Sequence, residues 1–236
     1  AGDLDSVALV GNRRARLAVG VRGIGLSLDF SRVGLTARCG VMLKANEAYV
    51  ADIIKEYGEA GMPSPKTPQR HIAILTCMDT RLVDLLERTM GIDRGDANVI
   101  RVAGNCITDV FSDVIRSLVV SIYELGAKEI FIVGHEDCGM EKTCPDELSK
   151  RMIDRGISPE AITMIRCEMD RWANNFCHSE QNVIKAVAQL RQNPLIPNDV
   201  KIHGLMLNPY TSKLTLLVDG NKPNEELDSM AVCTCC

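Results

Sequence analysis

Between residues 71 and 133 short aliphatic runs alternate with longer stretches whose apolar positions recur every three or four residues. HIAILT (71–76), NVIRV (98–102) and EIFIV (129–133) are short, largely continuous apolar runs, the pattern of strands buried on both faces. The intervening stretches have helical periodicity. A helix is predicted over 82–90, closed by Gly91, and a longer one over 110–125. In the longer one Phe111, Val114, Ile115, Leu118, Ile122 and Leu125 form one stripe and Gly126 supplies the stop. Further helices are expected over 159–172 and over 180–191, the latter after Ser179 as a cap. The segment IHGLMLNPYTSKLTLLVDG has two apolar runs around Asn208-Pro209-Tyr210-Thr211, a hairpin-like ending. Strands alternating with helices predict an α/β fold, a mainly parallel β-sheet flanked by helices. Ligands of such sheets sit at the carboxyl ends of the strands, where polar side chains leave the core.

The N-terminal part reads differently. KANEAYVADIIKEYGEA (44–60) puts Tyr49, Ile53, Ile54 and Tyr57 on one helical face, and GMPSPKTP then breaks the chain. A helix set apart by such a link packs either on its own domain or on a neighbouring subunit. Residues 1–41 are rich in Gly, Arg and Val and lack sustained periodicity. They are expected to be a disordered or adventitious extension ahead of a domain that begins near residue 42, with an organellar presequence as the alternative. Residues 221–236 read as a tail, with Cys233, Cys235 and Cys236 as a reduced, solvated cluster.

Composition narrows the function classes. The chain has 236 residues, 46% hydrophobic and 25% charged, enough for one domain with a sizeable core. A net charge of −4 gives no electrostatic reason to expect a nucleic-acid partner, and no apolar run is long enough to predict a membrane span. Ten cysteines are many, but they accompany aliphatic strands and helices rather than the weak core of a disulfide scaffold. A reducing, cytoplasmic setting is therefore expected.

Several of those cysteines carry chemistry. Cys77 ends the run of the first strand, and His135-x-x-Cys138 follows the third. Two thiolates and one imidazole suit Zn(II), and three protein ligands leave the fourth position open. Asp79 could fill that position and make the site a closed, structural one. Arg81, two residues on, argues against this: a guanidinium fork holds a carboxylate off the metal and leaves it free to accept a hydrogen bond from water. Cys106 is expected to be a buried small side chain rather than a further ligand. His71, at the start of a strand, His178 and His203 are expected to be structural or solvated.

With these residues in view, the sequence resembles the β-class carbonic anhydrases, and within them the smaller, type-II-like branch. The resemblance rests on Cys77-Met78-Asp79-Thr80-Arg81, Arg101-Val102-Ala103-Gly104-Asn105 and Gly134-His135-Glu136-Asp137-Cys138-Gly139. The run from Ser112 to Leu118 and His203-Gly204-Leu205 add to it, and it covers residues 42–220. It implies one zinc ion per chain on Cys77, His135 and Cys138, Asp79 and Arg81 as a catalytic dyad, and Ala103 and Gly104 lining the substrate pocket. It implies reversible hydration of carbon dioxide to bicarbonate and a proton. It also implies a homodimer or homotetramer built through the sheet edge and an N-terminal helical arm, here residues 44–60. A carbonyl sulfide or carbon disulfide hydrolase on the same scaffold is the alternative activity. A zinc protein of assembly without catalysis is the alternative class.

Overall fold

The computed structural model describes residues 38–176 and 178–222. Most of the extension expected over 1–41, the tail cysteines Cys233, Cys235 and Cys236, and Cys177 lie outside the described residues. By compactness the chain divides after Pro63 into two units. The first holds one described helix, α1 (Arg38–Tyr57), which begins six residues before the expected start and ends at Tyr57, ahead of Gly58 at φ +75°. No α1 side chain is buried.

The second unit carries the sheet. Its strands are β1 (Ile72–Cys77), β2 (Ala97–Val102), β3 (Glu129–His135), β4 (Lys201–Leu207) and β5 (Leu214–Val218). They lie in the order β2-β1-β3-β4-β5, with β5 alone antiparallel. The mainly parallel α/β architecture is therefore the one the hydrophobic pattern predicts. The helices are α2 (Leu85–Met90), α3 (Asp113–Tyr123), α4 (Pro145–Asp154), α5 (Pro159–Asn174) and α6 (Ser179–Gln192). Among the described residues no helix is long and apolar enough to cross a membrane.

Alternation along the strands feeds two cores. Ala73, Leu75, Ile130, Ile132, Ile202 and Met206 join Val114, Ile115 and Leu118 of α3 and Val183, Val187 and Leu190 of α6. Ile74, Val133, Leu205 and Leu207 join Leu82, Leu86, Met140, Phe176 and both thiols Cys77 and Cys138. Both clusters are apolar and mostly aliphatic, so their stabilisation is the removal of apolar surface from water. The approach of α6 to the sheet depends on small residues: a Cβ on Gly134 would stand 2.5 Å from Val183 Cγ2.

Several boundaries differ from expectation for identifiable reasons. His71 does not begin a strand; it sits at φ +55°, and β1 starts at Ile72. The helix expected over 82–90 starts only at Leu85, because Val83 is extended and Asp84 takes a left-handed conformation; a 3₁₀ turn, Thr80–Leu82, precedes it. The stripe of α3 is shorter than 110–125, and Phe111 is exposed. Ser179 is the first residue of α6 rather than its cap. The first turn is satisfied instead by Glu141, whose Oε1 accepts from the Ser179 N–H at 2.9 Å and its hydroxyl at 2.8 Å. Helix α4 was not anticipated, since only Pro145 and Ser149 of it are buried and its apolar stripe is thin.

Candidate metal centre

Three loops at the carboxyl ends of parallel strands build one site. Cys77 is the last residue of β1 and His135 the last of β3, and these strands are adjacent. The turn after β3 carries Asp137 at φ +53°, a left-handed conformation that a short polar side chain tolerates, and returns Cys138 toward Cys77. The ligand atoms of Cys77, His135 and Cys138 all lie within 4.8 Å of one another, and all three residues are buried.

The donor set fits a tetrahedral metal ion. Two thiolates about 2.3 Å from one such ion stand about 3.8 Å apart. Here the two sulfurs are 3.9 Å apart. The His135 Nδ1 donates to the Glu136 carbonyl at 2.9 Å, which fixes the tautomer and leaves the Nε2 lone pair free. Among the described residues that Nε2 is buried with no hydrogen-bond partner, which an ion in the site would remedy.

Protonation within the set is linked. A hydrogen bond from Cys138, with another from the Gly104 N–H, lowers the Cys77 thiol to about 4. The same Cys77 thiolate pushes Cys138 up, so the pair retains one proton until a cation takes its place. Burial works against charge on His135, but the Cys77 thiolate, the Glu136 carbonyl and Asp79 together outweigh it and raise His135.

Asp79 stands beside this set without joining it. Its Oδ2 is 3.8 Å from His135 Nε2. The Arg81 fork takes both carboxylate oxygens, Nε to Oδ1 at 3.0 Å and an Nη to Oδ2 at 2.9 Å, while the Arg81 backbone N–H donates to Oδ1 at 2.8 Å. These bonds from Arg81 lower the Asp79 carboxyl to about 2 and raise Arg81 further. Asp79 is thus an anion held in one orientation.

The Ala103–Asn105 turn closes another side. Gly104 adopts φ +64°, and its N–H donates to Cys77 Sγ at 3.3 Å. A Cβ there would stand 2.8 Å from both Met140 Cγ and Phe176 Cε2, so only glycine lets the backbone reach the sulfur. Asn182 of α6 fixes the turn from behind, its Nδ2 donating to the Gly104 carbonyl at 2.8 Å. Cys106 lies outside the donor set, and burial raises its thiol to about 11. His203 is buried in β4, stacked on Phe131, away from the three ligands.

Every residue expected at the site is therefore in or beside it. Asp137, Asn182 and Tyr210 were not anticipated. Asp137 lay inside a motif already noted, whereas Asn182 and Tyr210 reach the site only through the topology.

The family model described as carbonic anhydrase matches residues 72–214. The solved β-carbonic anhydrase isoform I of Trichomonas vaginalis is 43% identical, with a TM-score of 0.72, covering 77% of this chain and 98% of that one. The Bacillus subtilis protein YtiB is 40% identical over 158 residues, 66% of this chain and 84% of that one. A carbon disulfide hydrolase of an Acidianus strain is 33% identical over 198 residues, 78% of this chain and 87% of that one.

Proposed function

The chain belongs to the β-carbonic anhydrase family, and from that membership we propose that it hydrates carbon dioxide reversibly to bicarbonate and a proton, using one zinc ion on Cys77, His135 and Cys138. The observation that carries this reading is the His135 Nε2, without a hydrogen-bond partner among the described residues and facing two sulfurs beside an aspartate already claimed by arginine. Two sulfurs and one imidazole nitrogen suit zinc, and three protein donors leave room for solvent. When bound, the ion supplies the Lewis acidity that makes water a competent nucleophile at neutral pH.

The side chains supply the rest. Two thiolates offset the cation's charge, which works against ionising water at the site. The Gly104 N–H draws density from the Cys77 sulfur and moderates that loss. A free Asp79 carboxylate would oppose a second anion beside it. Arg81 neutralises that charge and keeps the carboxylate turned so that one oxygen accepts a hydrogen bond from the attacking water. The water's remaining lone pair is then directed at the carbon of the substrate. Ala103 and Gly104 contribute backbone to the pocket wall beside Met140 and Phe176, an apolar surface suited to a small uncharged molecule.

We extend the proposal to assembly as a homodimer or homotetramer. Strand β2 lies at the edge of the sheet, with Val99 exposed, and nearby Val110, Phe111, Val120 and Tyr123 are exposed as well. In the first unit Tyr49, Ile54 and Tyr57 of α1 are also exposed, as an arm that packs on a second copy requires.

A carbon disulfide or carbonyl sulfide hydrolase remains the second reading, on the strength of the 33% identity to such an enzyme. Stopped-flow hydration of carbon dioxide with a pH indicator, run beside a metal assay and a sulfide-release assay on carbon disulfide, separates the readings. Rapid proton release with about one zinc per chain is expected. Sulfide release alone would favour the second reading, and zinc without either activity a structural role.

A further inference from the structure

Arg81 is held by more than the aspartate it grips. A guanidinium has five N–H donors, and here each meets an acceptor. Nε and one Nη–H go to Asp79, at 3.0 and 2.9 Å. The second hydrogen of that Nη goes to the Asp137 carbonyl at 2.8 Å. The other Nη donates to Asp137 Oδ2 at 3.0 Å and to the Tyr210 hydroxyl at 2.8 Å. The Tyr210 hydroxyl in turn donates to Asp137 Oδ2 at 2.9 Å, closing a ring of three groups. The guanidinium also lies 5.5 Å from the centroid of the Tyr210 ring.

The three groups come from three loops. Arg81 follows β1, Asp137 sits between the ligands His135 and Cys138 after β3, and Tyr210 lies in the β4–β5 hairpin. The hairpin is itself tied to the β3 turn: Asn208 Nδ2 donates to Glu136 Oε2 at 2.5 Å, while Asn208 Oδ1 accepts from the N–H groups of Tyr210 and Thr211. We propose that Tyr210, with Asp137, is a positioning residue of the reaction, fixing Arg81 and through it the orientation of Asp79 toward the metal ligands. This rests on the reading of Asp79 and Arg81 as the catalytic pair. Arg81 is 31% exposed, so without lateral anchors its long side chain is free to turn toward solvent. Asp137 and Tyr210 convert a pairwise grip into a fixed frame that spans the loops of β1 and β3.

The test is Tyr210→Phe in the full-length, zinc-loaded protein. Phenylalanine keeps the ring over Arg81 and removes only the hydroxyl. The expected result is a fall in kcat of about three- to tenfold, the effect of one charge-assisted hydrogen bond that water partly replaces. KM, zinc content and melting temperature should stay at wild-type values. In side-chain NMR the Arg81 Nη protons, restrained in the wild type, should show averaged signals in Tyr210→Phe. In an Arg81→Lys background, Tyr210→Phe should add no further loss. Unchanged kcat together with unchanged Arg81 signals would overturn the proposal, as would an equal loss in the Arg81→Lys background. If the wild-type protein does not hydrate carbon dioxide, the proposed function fails, yet the Arg81 signals still decide whether Tyr210 fixes the guanidinium.

Discussion

Asn182 and Gly104 are far apart in sequence and joined by a 2.8 Å hydrogen bond, the amide of α6 donating to the carbonyl whose own residue donates to the Cys77 sulfur. The bond couples helix packing to the electronic state of Cys77, a proposed metal ligand. Asn182→Ala should therefore do two things. It should cost about 1–3 kcal/mol in urea unfolding, because a buried carbonyl loses its donor. It should also weaken zinc retention about tenfold in competition with a chelator, as loss of a supporting bond to a metal ligand does.

Gly104→Ala should be more damaging than an ordinary added methyl group. The backbone sits at φ +64°, and the new Cβ would meet Met140 and Phe176 at 2.8 Å. Strain and overpacking each cost about 1–3 kcal/mol. Chemical denaturation should show a loss in that range or above, with hydration activity falling as the N–H moves away from Cys77.

Arg81→Ala separates metal binding from catalysis. Cys77, His135 and Cys138 keep their places, so zinc content should remain near that of the wild type. Asp79 loses the fork on both oxygens, and kcat/KM should fall by about a hundredfold or more, the scale of removing a group that organises transition-state charge. A mutant with unimpaired turnover in the stopped-flow assay would refute the dyad.

Cys106 supplies a pH-dependent test. Burial raises its thiol to about 11, so the folded-state value lies above that of an unfolded cysteine. Its contribution to stability is then complete below about pH 8.5 and is lost as pH rises toward 11. Wild type should lose more stability than Cys106→Ala between pH 9 and 11 in thermal melts. At neutral pH iodoacetamide should label exposed Cys144 and Cys167 and spare Cys106 in the native protein.

Much of the sheet was legible because three of its strands are short aliphatic runs with breakers between them, and their length and β-branched content distinguish them from helices. The Cys77, His135 and Cys138 group was legible because Cys77 and His135-x-x-Cys138 stand at strand ends, where a parallel sheet gathers its polar groups. Local backbone was harder. Nothing in the composition of Val83-Asp84 shows that Asp84 turns left-handed and shortens α2. Helix α4 escaped because it buries little, although Pro145 at its start and Asp146 and Glu147 in its first turn are signals of a helix beginning. Tyr210 was invisible for a different reason: its partner Arg81 lies 129 residues away, and only the antiparallel return of β5 brings the hairpin over the β3 turn.

The central claim is that one ion is held by two sulfurs and one imidazole nitrogen while Asp79 stays on Arg81. X-ray absorption at the zinc edge of the purified protein tests it most directly. The predicted spectrum has two sulfurs at about 2.3 Å, one imidazole nitrogen at about 2.0–2.1 Å and one further light atom that exchanges with solvent. A metal-free protein, a shell of four sulfurs, or a fourth ligand that proves to be the Asp79 carboxylate in the active protein would contradict it.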